Sequence, residues 1–184
     1  MQKEEHIFFI ENKRFIQPLG KKVIMLFYIT AVIVLLSDQI TKVLVRLNVE
    51  MYERLTWMGI ELTYIENSGM AGGFFPGYAR VFGVISILFV MFVFYLRRNE
   101  AWRGPIINIS MGFLVGGAIG NGMDRLIFGQ VTDFIVRGSG ILNIADHALE
   151  IGIVLLIVHE LVQWLRRRRN QESKEEYEGD EYVQ

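Results

Sequence analysis

The sequence predicts an all-α membrane protein in which four transmembrane helices carry a small sheet formed by two loops. Three observations support this fold class. Of the 184 residues, 52% are hydrophobic, a fraction above the usual range of soluble domains. These residues are clustered in four windows that are long enough, or nearly so, to cross a bilayer core as about 20 helical residues. Basic residues gather beside the windows in the pattern that sets membrane orientation.

The first two windows cover about residues 23–45 and 80–96. The first begins with VIMLFYITAVIVLLS, and the second contains VFGVISILFVMFVFYL. Both are apolar over enough length to be read as spanning helices. The first window is too long for a signal peptide, and no small-residue cleavage site follows it, so we expect it to remain as a helix.

The last two windows cover about residues 104–123 and 147–165. The third carries no formal charge, and its glycines have the small-residue spacing that suits close helix packing in a membrane. The fourth is a weaker candidate because it contains Glu150, His159 and Glu160. We nevertheless expect both windows to cross the membrane, which gives four spans in total.

Basic residues predict the orientation of these spans. Most of the 19 Lys and Arg residues lie before the first window, between the second and third, or directly after the fourth. Because Lys and Arg favour the cytoplasmic side, both termini are predicted to be cytoplasmic. The predicted organisation is a cytoplasmic extension at residues 1–22, a four-helix membrane domain at 23–165, and a basic then acidic cytoplasmic tail at 166–184. The low apolar content of the acidic part predicts disorder there.

The two remaining loops are predicted to face outward and to form a small sheet. In the first loop, about residues 46–79, GIELTYI alternates as a strand does, and ENSGMAGGFFPG is rich in glycine and aromatics. In the second loop, VTDFIVRGSGILNIAD consists of two strand-like pieces around a GSG turn. A sheet that rests on the helices would bury the apolar residues of both loops.

Composition and charge exclude several functional classes. The net charge of -1 gives no general attraction to nucleic acid, so no nucleic-acid partner is expected. The chain has no cysteine, which excludes disulfides, thiolate metal sites and a cysteine nucleophile. His147 and His159 are twelve residues apart and no HExxH motif occurs, so neither a metal nor another cofactor is expected.

Asp124 and Asp146 are the strongest candidates for chemistry, because they lie where the third window ends and the fourth begins. A helical hairpin would bring the two carboxyl groups together, so that one would keep a proton. Such a pair can activate water and protonate a carbonyl or leaving nitrogen, which predicts amide hydrolysis. Helix capping by Asp146 is the alternative. Asn121 and Asn143, each three residues before an Asp, favour the functional interpretation because each can hydrogen-bond an Asp or a peptide.

Two further pairs of charged residues accompany these carboxyl groups. Asp38 and Lys42 in SDQITK are four residues apart on a predicted helix, so they can pair on one face. Structural support of the site is their preferred role, and direct substrate contact is the alternative. Ser37 is poorly aligned with Lys42 for a nucleophile–base pair. An ion pair between Arg125 and Asp133 is predicted to pin the outer loop.

Five ordered motifs resemble those of signal peptidase II, the lipoprotein signal peptidase family. The motifs are SDQITK, NSGMAGGF, GGAIGNGMDR, GQVTDFI and LNIAD, and the resemblance covers most of residues 23–165. It implies an aspartic peptidase of the bacterial cytoplasmic membrane, with its active site near the extracytoplasmic face. It also implies that the substrate is a diacylglyceryl-modified prolipoprotein cut just before the modified cysteine. The implied fold adds an extracytoplasmic β-cradle and a short periplasmic helix to the four spans.

The resemblance also assigns residues and partners. The two catalytic aspartates would correspond to Asp124 and Asp146. The residues that would bind substrate or support the site are Asp38, Lys42, Asn67, Gly69, Asn121, Arg125, Asp133 and Asn143. Membrane lipids are expected partners, no cofactor is implied, and we expect a monomer. The sequence departs from the family pattern at Gly72 and Gly73, where an aromatic residue is usual, and at Glu150, where a small or neutral residue is usual.

Two other functional classes are weighed against the peptidase. A small transporter could use Asp124 and Asp146 as proton relays. Transporters often have internal repeats and ionisable groups near mid-membrane, whereas these carboxyl groups gather at one edge and no repeat is found. A lipid-binding scaffold without catalysis is the second alternative.

Overall fold

The computed structural model describes the backbone of residues 2–98 and 104–181. Side chains are described within residues 23–70, 72–98 and 104–171. Most of the arginine-containing turn between the second and third spans, and the last residues of the acidic tail, lie outside the described residues.

Four helices dominate the described chain, and each contains a stretch long and apolar enough to cross a membrane. They are α1 (Gln2–Asn48), α2 (Ala79–Leu96), α3 (Pro105–Ile127) and α4 (Ile144–Glu181). The candidate spans within them are Val23–Asn48, Ala79–Leu96, Pro105–Ile127 and Ile144–Gln171. The prediction of four membrane helices is confirmed.

The acidic tail is helical over most of its length, whereas the sequence predicts disorder. Helix α4 continues without interruption to Glu181, through most of the segment for which low apolar content predicts disorder. A helix that is already nucleated extends at the cost of fixing one residue for each new hydrogen bond. The long apolar part of α4 supplies that nucleus, which composition alone does not take into account.

Helix α3 is the centre of the bundle. In the most apolar stretch of α3, 72% of the residues are buried inside the protein. The corresponding shares for α1, α2 and α4 are 17%, 17% and 11%. Glycines make this packing possible, because a Cβ atom at Gly116 would lie 2.7 Å from the carbonyl oxygen of Ala31. A Cβ atom at Gly117 would lie 2.6 Å from the carbonyl oxygen of Ala145. Small residues therefore let the backbones of α1 and α4 approach α3 closely.

The two loops form one four-stranded antiparallel sheet, which confirms the predicted small sheet. Its strands, in the spatial order β1-β2-β3-β4, are β1 (Arg54–Trp57), β2 (Ile60–Asn67), β3 (Val131–Arg137) and β4 (Gly140–Leu142). Met58 and Gly59 join β1 to β2 with positive φ angles of 51° and 81°, as in the type I′ turns preferred by tight hairpins. A single 3-10 turn, Ala71–Gly73, lies in the glycine-rich segment after β2.

The pairing of β2 with β3 determines which side chains reach the helices. Glu66 lies opposite Thr132, and Ile65 lies opposite Asp133. Because side chains alternate between the two faces of a strand, Thr132 and Asp133 point to opposite faces of the sheet. The sheet thereby brings residues of the first loop beside residues of the second, at the ends of α1, α3 and α4.

Candidate active site

Lys42 is the centre of a buried ionic network that joins three helices. Its Nζ atom lies 2.8 Å from Asp38 Oδ2 and 2.8 Å from Asp124 Oδ2, and it donates a hydrogen bond of 2.8 Å to Asn121 Oδ1. Asp38, Lys42 and Asp124 are fully buried, and together they are called the lysine cluster below. The other oxygen of Asp38 accepts a hydrogen bond of 2.9 Å from the backbone N–H of Ala145 at the start of α4. The predicted pairing of Asp38 with Lys42 is confirmed.

A second cluster contains two carboxyl groups held by amides. Asn143 donates from Nδ2 to Asp133 Oδ1 at 2.6 Å, and Asn67 donates to Asp133 Oδ2 at 3.0 Å. Asn143 also accepts from the Asp146 backbone N–H at 2.9 Å, and its own N–H donates to Asp146 Oδ2 at 3.2 Å. This reciprocal arrangement is a capping box in which Asn143 is the N-cap residue of α4 and Asp146 is its partner in the first turn. Asn67, Asp133, Asn143 and Asp146 are called the amide cluster below.

Asn121 connects the two clusters. Its Nδ2 atom donates to Asp146 Oδ1 at 2.8 Å, and its Oδ1 atom accepts from both Lys42 and Asn143, at 2.8 and 3.1 Å. The expectation that Asn121 and Asn143 each hydrogen-bond an aspartate is therefore confirmed. Hydrogen bonds through Asn121 therefore connect Lys42 to Asp146.

Asp133 has the electrostatic properties of an acid–base group. Burial raises its pKa to about 7, and the nearby charge of Asp146 contributes to the rise. The hydrogen bonds from Asn67 and Asn143 and the charge of Lys42 oppose the rise without cancelling it. A carboxyl group with this pKa gains and loses a proton near neutral pH, as general acid–base catalysis requires.

The predicted ion pair between Arg125 and Asp133 is wrong. Both carboxylate oxygens of Asp133 are occupied by asparagine amides, and within the described residues no Arg125–Asp133 ion pair forms. Arg125 instead donates to the carbonyl oxygen of Gly69 at 3.4 Å. The N–H of Gly69 donates to Asn67 Oδ1 at 2.9 Å, and a Cβ atom on this glycine would collide with the carbonyl oxygen of Phe74. Arg125 therefore still holds the outer loop, but through the backbone carbonyl group of Gly69 and not through the side chain of Asp133.

Four further polar residues contribute contacts to this region and were not predicted from the sequence: Gln39, Arg46, Glu66 and Thr132. Arg46 lies one helical turn beyond Lys42, and its Nη2 atom is 3.4 Å from Asp124 Oδ1. Its Nε atom donates to Thr132 Oγ1 at 2.7 Å. The four-residue spacing from Lys42 was a signal for Arg46, because residues i and i+4 share a helix face. No local pattern points to Thr132.

Glu150 has an identified partner in the sheet. It forms an ion pair with Arg137 near the turn between β3 and β4, and both side chains are about half exposed, at 48% and 56%. The pair joins the β3–β4 hairpin to the first turns of α4 and lies outside both clusters.

A cavity of about 310 Å³ lies beside the amide cluster. It is lined by residues 65–68 at the end of β2, by Gly72, Gly73 and Pro76, and by residues 139–141 at the β3–β4 turn. Asn67 belongs both to this cavity and to the amide cluster, so a molecule in the cavity would lie next to the hydrogen-bond partners of Asp133.

Membrane-length helices with a group of aspartates at one end of the bundle are the features expected of an aspartic peptidase of the membrane. Comparison with known proteins gives the family. The model of the family described as signal peptidase (SPase) II matches residues 30–162. The chain belongs to the signal peptidase II family, and it is a multi-pass bacterial membrane enzyme with lipoprotein signal peptidase activity. Membership of this family decides against the transporter and scaffold alternatives.

Similar proteins cover most of the chain. The lipoprotein signal peptidase of Shouchella clausii (strain KSM-K16) is 36% identical over 148 residues, which are 78% of this chain and 97% of that one. The lipoprotein signal peptidase of Moorella thermoacetica (strain ATCC 39073 / JCM 9320) is 34% identical over 133 residues, which are 71% and 89% of the two chains.

Two solved structures are also similar. Both are described as bacterial membrane enzymes determined by the in meso method, one at 2.3 Å and the other at 1.9 Å resolution. The first has a TM-score of 0.69 at 30% identity and covers 73% of this chain and 87% of its own. The second has a TM-score of 0.66 at 29% identity and covers 73% and 92%.

Proposed function

We propose that this enzyme cleaves diacylglyceryl-modified prolipoproteins just before the modified cysteine, with Asp133 and Asp146 as the pair that activates water. The observation that carries the proposal is that Asn143 donates hydrogen bonds to both carboxyl groups, from its side chain to Asp133 and from its backbone N–H to Asp146, while burial and the charge of Asp146 raise the pKa of Asp133 to about 7. Two coupled carboxyl groups that divide one proton between them supply a general acid and a general base in one site.

This proposal replaces Asp124, the sequence-based candidate, with Asp133 as the partner of Asp146. Asp124 is fully buried, with one oxygen 2.8 Å from Lys42 and the other 3.4 Å from Arg46. Both oxygens of Asp124 therefore lie beside cationic side chains, an arrangement typical of a structural ion pair. Asp133 instead has neutral amide partners and a pKa of about 7.

In the proposed reaction, Asp146 takes a proton from water as the water oxygen attacks the scissile carbonyl carbon. Asp133 donates its proton to the carbonyl oxygen, which gives a neutral tetrahedral diol. Asp146 then gives its proton to the leaving nitrogen as the C–N bond breaks, and one diol hydroxyl returns a proton to Asp133. Each carboxyl group ends in its starting state, so one water molecule is consumed for each peptide bond.

The other residues are proposed to position this pair and the substrate. Asn67 and Asn143 orient Asp133, and Asn121 orients Asp146. The cavity beside Asn67 is proposed to receive the residues next to the scissile bond. The residues proposed to support the site without direct chemistry are Asp38, Lys42, Gly69, Asp124 and Arg125.

We further propose that residues 23–165 are the peptidase domain and that both termini are cytoplasmic, which puts the sheet and both clusters at the extracytoplasmic side. The positions of basic residues support this orientation. Reporter fusions at Gly59 and Ser139 should read as extracytoplasmic, and a fusion at Asn99 as cytoplasmic. The enzyme is proposed to act as a monomer in contact with membrane lipids.

The test of the proposed function is cleavage of a precursor peptide by the purified, detergent-solubilised enzyme. A peptide that carries diacylglyceryl cysteine should be cut at the bond before that cysteine, as identified by mass spectrometry. The matched control is the same peptide without the lipid, which should be cut far more slowly. Equal cleavage of both peptides, or cleavage at another bond, would contradict the proposed substrate.

A further inference from the structure

Arg46 has no part in the proposed chemistry, yet its guanidinium contacts both the lysine cluster, at Asp124, and strand β3, at Thr132. It is in the last turn of α1 and its side chain is 22% exposed. One edge is 3.4 Å from Asp124 Oδ1 of the lysine cluster. The Nε–H donates to Thr132 Oγ1 at 2.7 Å, and the guanidinium carbon lies 4.6 Å from the centre of the Phe128 ring. This side chain is therefore held from three directions.

Glu66 completes the surroundings of this guanidinium. Its Oε1 atom is 3.8 Å from Arg46 Nε, and it accepts hydrogen bonds from Tyr64 at 2.7 Å and from Thr132 at 3.0 Å. Thr132 is fully buried, so its hydroxyl is shared between the arginine and the glutamate and has no access to solvent. Arg46, Glu66 and Thr132 are called the clamp below.

The clamp contacts β3 on the face opposite to the proposed catalytic carboxyl group. Thr132 and Asp133 are consecutive, and consecutive side chains on a strand point to opposite faces. The clamp holds the first of them from α1 and β2, while Asn143 and Asn67 hold the second. The depth and rotation of this part of β3 are therefore determined by hydrogen bonds on both faces.

We propose that Arg46 and Glu66, acting through Thr132, are positioning residues that set the carboxyl group of Asp133 relative to Asp146. The inference rests on the proposed role of Asp133. If the clamp is loosened, β3 can shift with respect to α4 while substrate contacts elsewhere in the cavity persist. Misplacement of a reacting group by about 1 Å can cost up to about 100-fold in rate. Loss of the clamp should therefore lower kcat much more than it changes KM.

The experiment compares Thr132→Val with Thr132→Ser in the full-length enzyme. Valine keeps the shape of threonine and removes only the hydroxyl, so we expect kcat to fall roughly 10- to 100-fold with KM within about twofold. Serine keeps the hydroxyl and should restore kcat to within about threefold of the wild-type value. Rates are normalised to folded enzyme, measured by size exclusion in detergent. If the valine variant were only poorly folded, its kcat per folded molecule would stay near the wild-type value. A selective fall in kcat that serine reverses therefore indicates a positioning role.

A second set of variants tests whether the three residues act as one unit. Arg46→Gln and Glu66→Gln should each lower kcat, and Arg46→Gln combined with Thr132→Val should be no worse than the more impaired single variant. The matched control is Arg54→Gln, because Arg54 forms an exposed ion pair of 3.0 Å with Glu61 in the same sheet. This control should keep the wild-type kcat.

Any one of three results would contradict the proposed role of the clamp. The first is a wild-type kcat in both Arg46→Gln and Thr132→Val, and the second is a double variant in which the two losses of kcat multiply. The third is a Thr132→Ser enzyme with a kcat as low as that of Thr132→Val. Asp133→Asn is measured in the same series to keep the two proposals apart. If Asp133→Asn is inactive and the clamp variants are normal, only the clamp is wrong. If Asp133→Asn is fully active, the proposed catalytic pair is wrong.

Discussion

The lysine cluster and the amide cluster contain the same kind of acidic side chain in different surroundings. Asp38 and Asp124 are fully buried against one ammonium group, whereas Asp133 is buried against the amides of Asn67 and Asn143. A cation stabilises a carboxylate in its charged form, and a neutral amide does so less strongly. Burial is therefore accompanied by ion pairs in the first cluster and by a carboxyl group with a pKa of about 7 in the second.

The lysine cluster holds together the helix ends that carry two asparagines of the network. The ionic network joins α1, α3 and the start of α4, so it fixes the helix ends that carry Asn121 and Asn143. Those two asparagines then orient Asp146 and Asp133. The charged residues that match the family motifs thus divide into a set that builds the site and a set proposed to react.

The largest expected effect is the loss of turnover when a proposed catalytic carboxyl group of the amide cluster is replaced, compared with a carboxyl group of the lysine cluster. Asp133→Asn and Asp146→Asn should each lower turnover by roughly 10³-fold or more, because each removes proton exchange while keeping the size of the side chain and part of its hydrogen bonding. Asp124→Asn should keep at least about ten times more activity per folded molecule than either, because its proposed role is structural. The measurement is cleavage of lipid-modified precursor by purified variants. If Asp124→Asn is as inactive as Asp146→Asn while Asp133→Asn still turns over, Asp124 and not Asp133 is the partner of Asp146.

A second effect concerns stability and is specific to the lysine cluster. Lys42→Met should destabilise the folded enzyme by about 3–5 kcal/mol, because it leaves Asp38 buried without its cation and Asp124 with Arg46 alone. Asn143→Ala is the matched change in the amide cluster and should cost less, since it removes no charge. Thermal unfolding in detergent compares the two variants. A smaller fall in the unfolding temperature for Lys42→Met than for Asn143→Ala would contradict the view that the lysine cluster is the more important of the two for stability.

The pH profile tests the titratable character of Asp133. Its proposed role requires the protonated form, so kcat should fall as pH rises through about 7. The hydrogen bond from Asn67 opposes the rise in the pKa of Asp133, so its loss in Asn67→Ala should move this limb to higher pH. Rates measured on both sides of neutrality give the position of the limb in each enzyme. A shift to lower pH in Asn67→Ala would contradict the assignment.

The smallest effect is expected outside both clusters. Glu150→Gln should change turnover by less than about twofold, because Glu150 and Arg137 are half exposed and exposed ion pairs contribute little. Arg137→Gln serves as the reciprocal variant and should behave alike. A large loss of activity in either would mean that the attachment of the β3–β4 hairpin to α4 controls the amide cluster.

Local patterns in the sequence determined the framework. Apolar length predicts the four spans, alternation and glycine turns predict the sheet, and the four-residue spacing predicts the contact between Asp38 and Lys42. The three-residue spacing of each Asn and Asp also predicts polar contacts at the ends of α3 and α4. Each of these features depends on the periodicity of a continuous segment, so it can be read from neighbouring residues.

Only the tertiary structure decided which partners these groups have. Asp133 and Arg125 are eight residues apart and of opposite charge, yet Asp133 is bound by Asn143 and Asn67, and Arg125 by the carbonyl oxygen of Gly69. The pairing of β2 with β3 brings Asn67 to Asp133 and Thr132 to the end of α1. Hydrogen bonds and desolvation depend on distances of a few ångströms between groups remote in the chain, and spacing along one segment does not contain those distances.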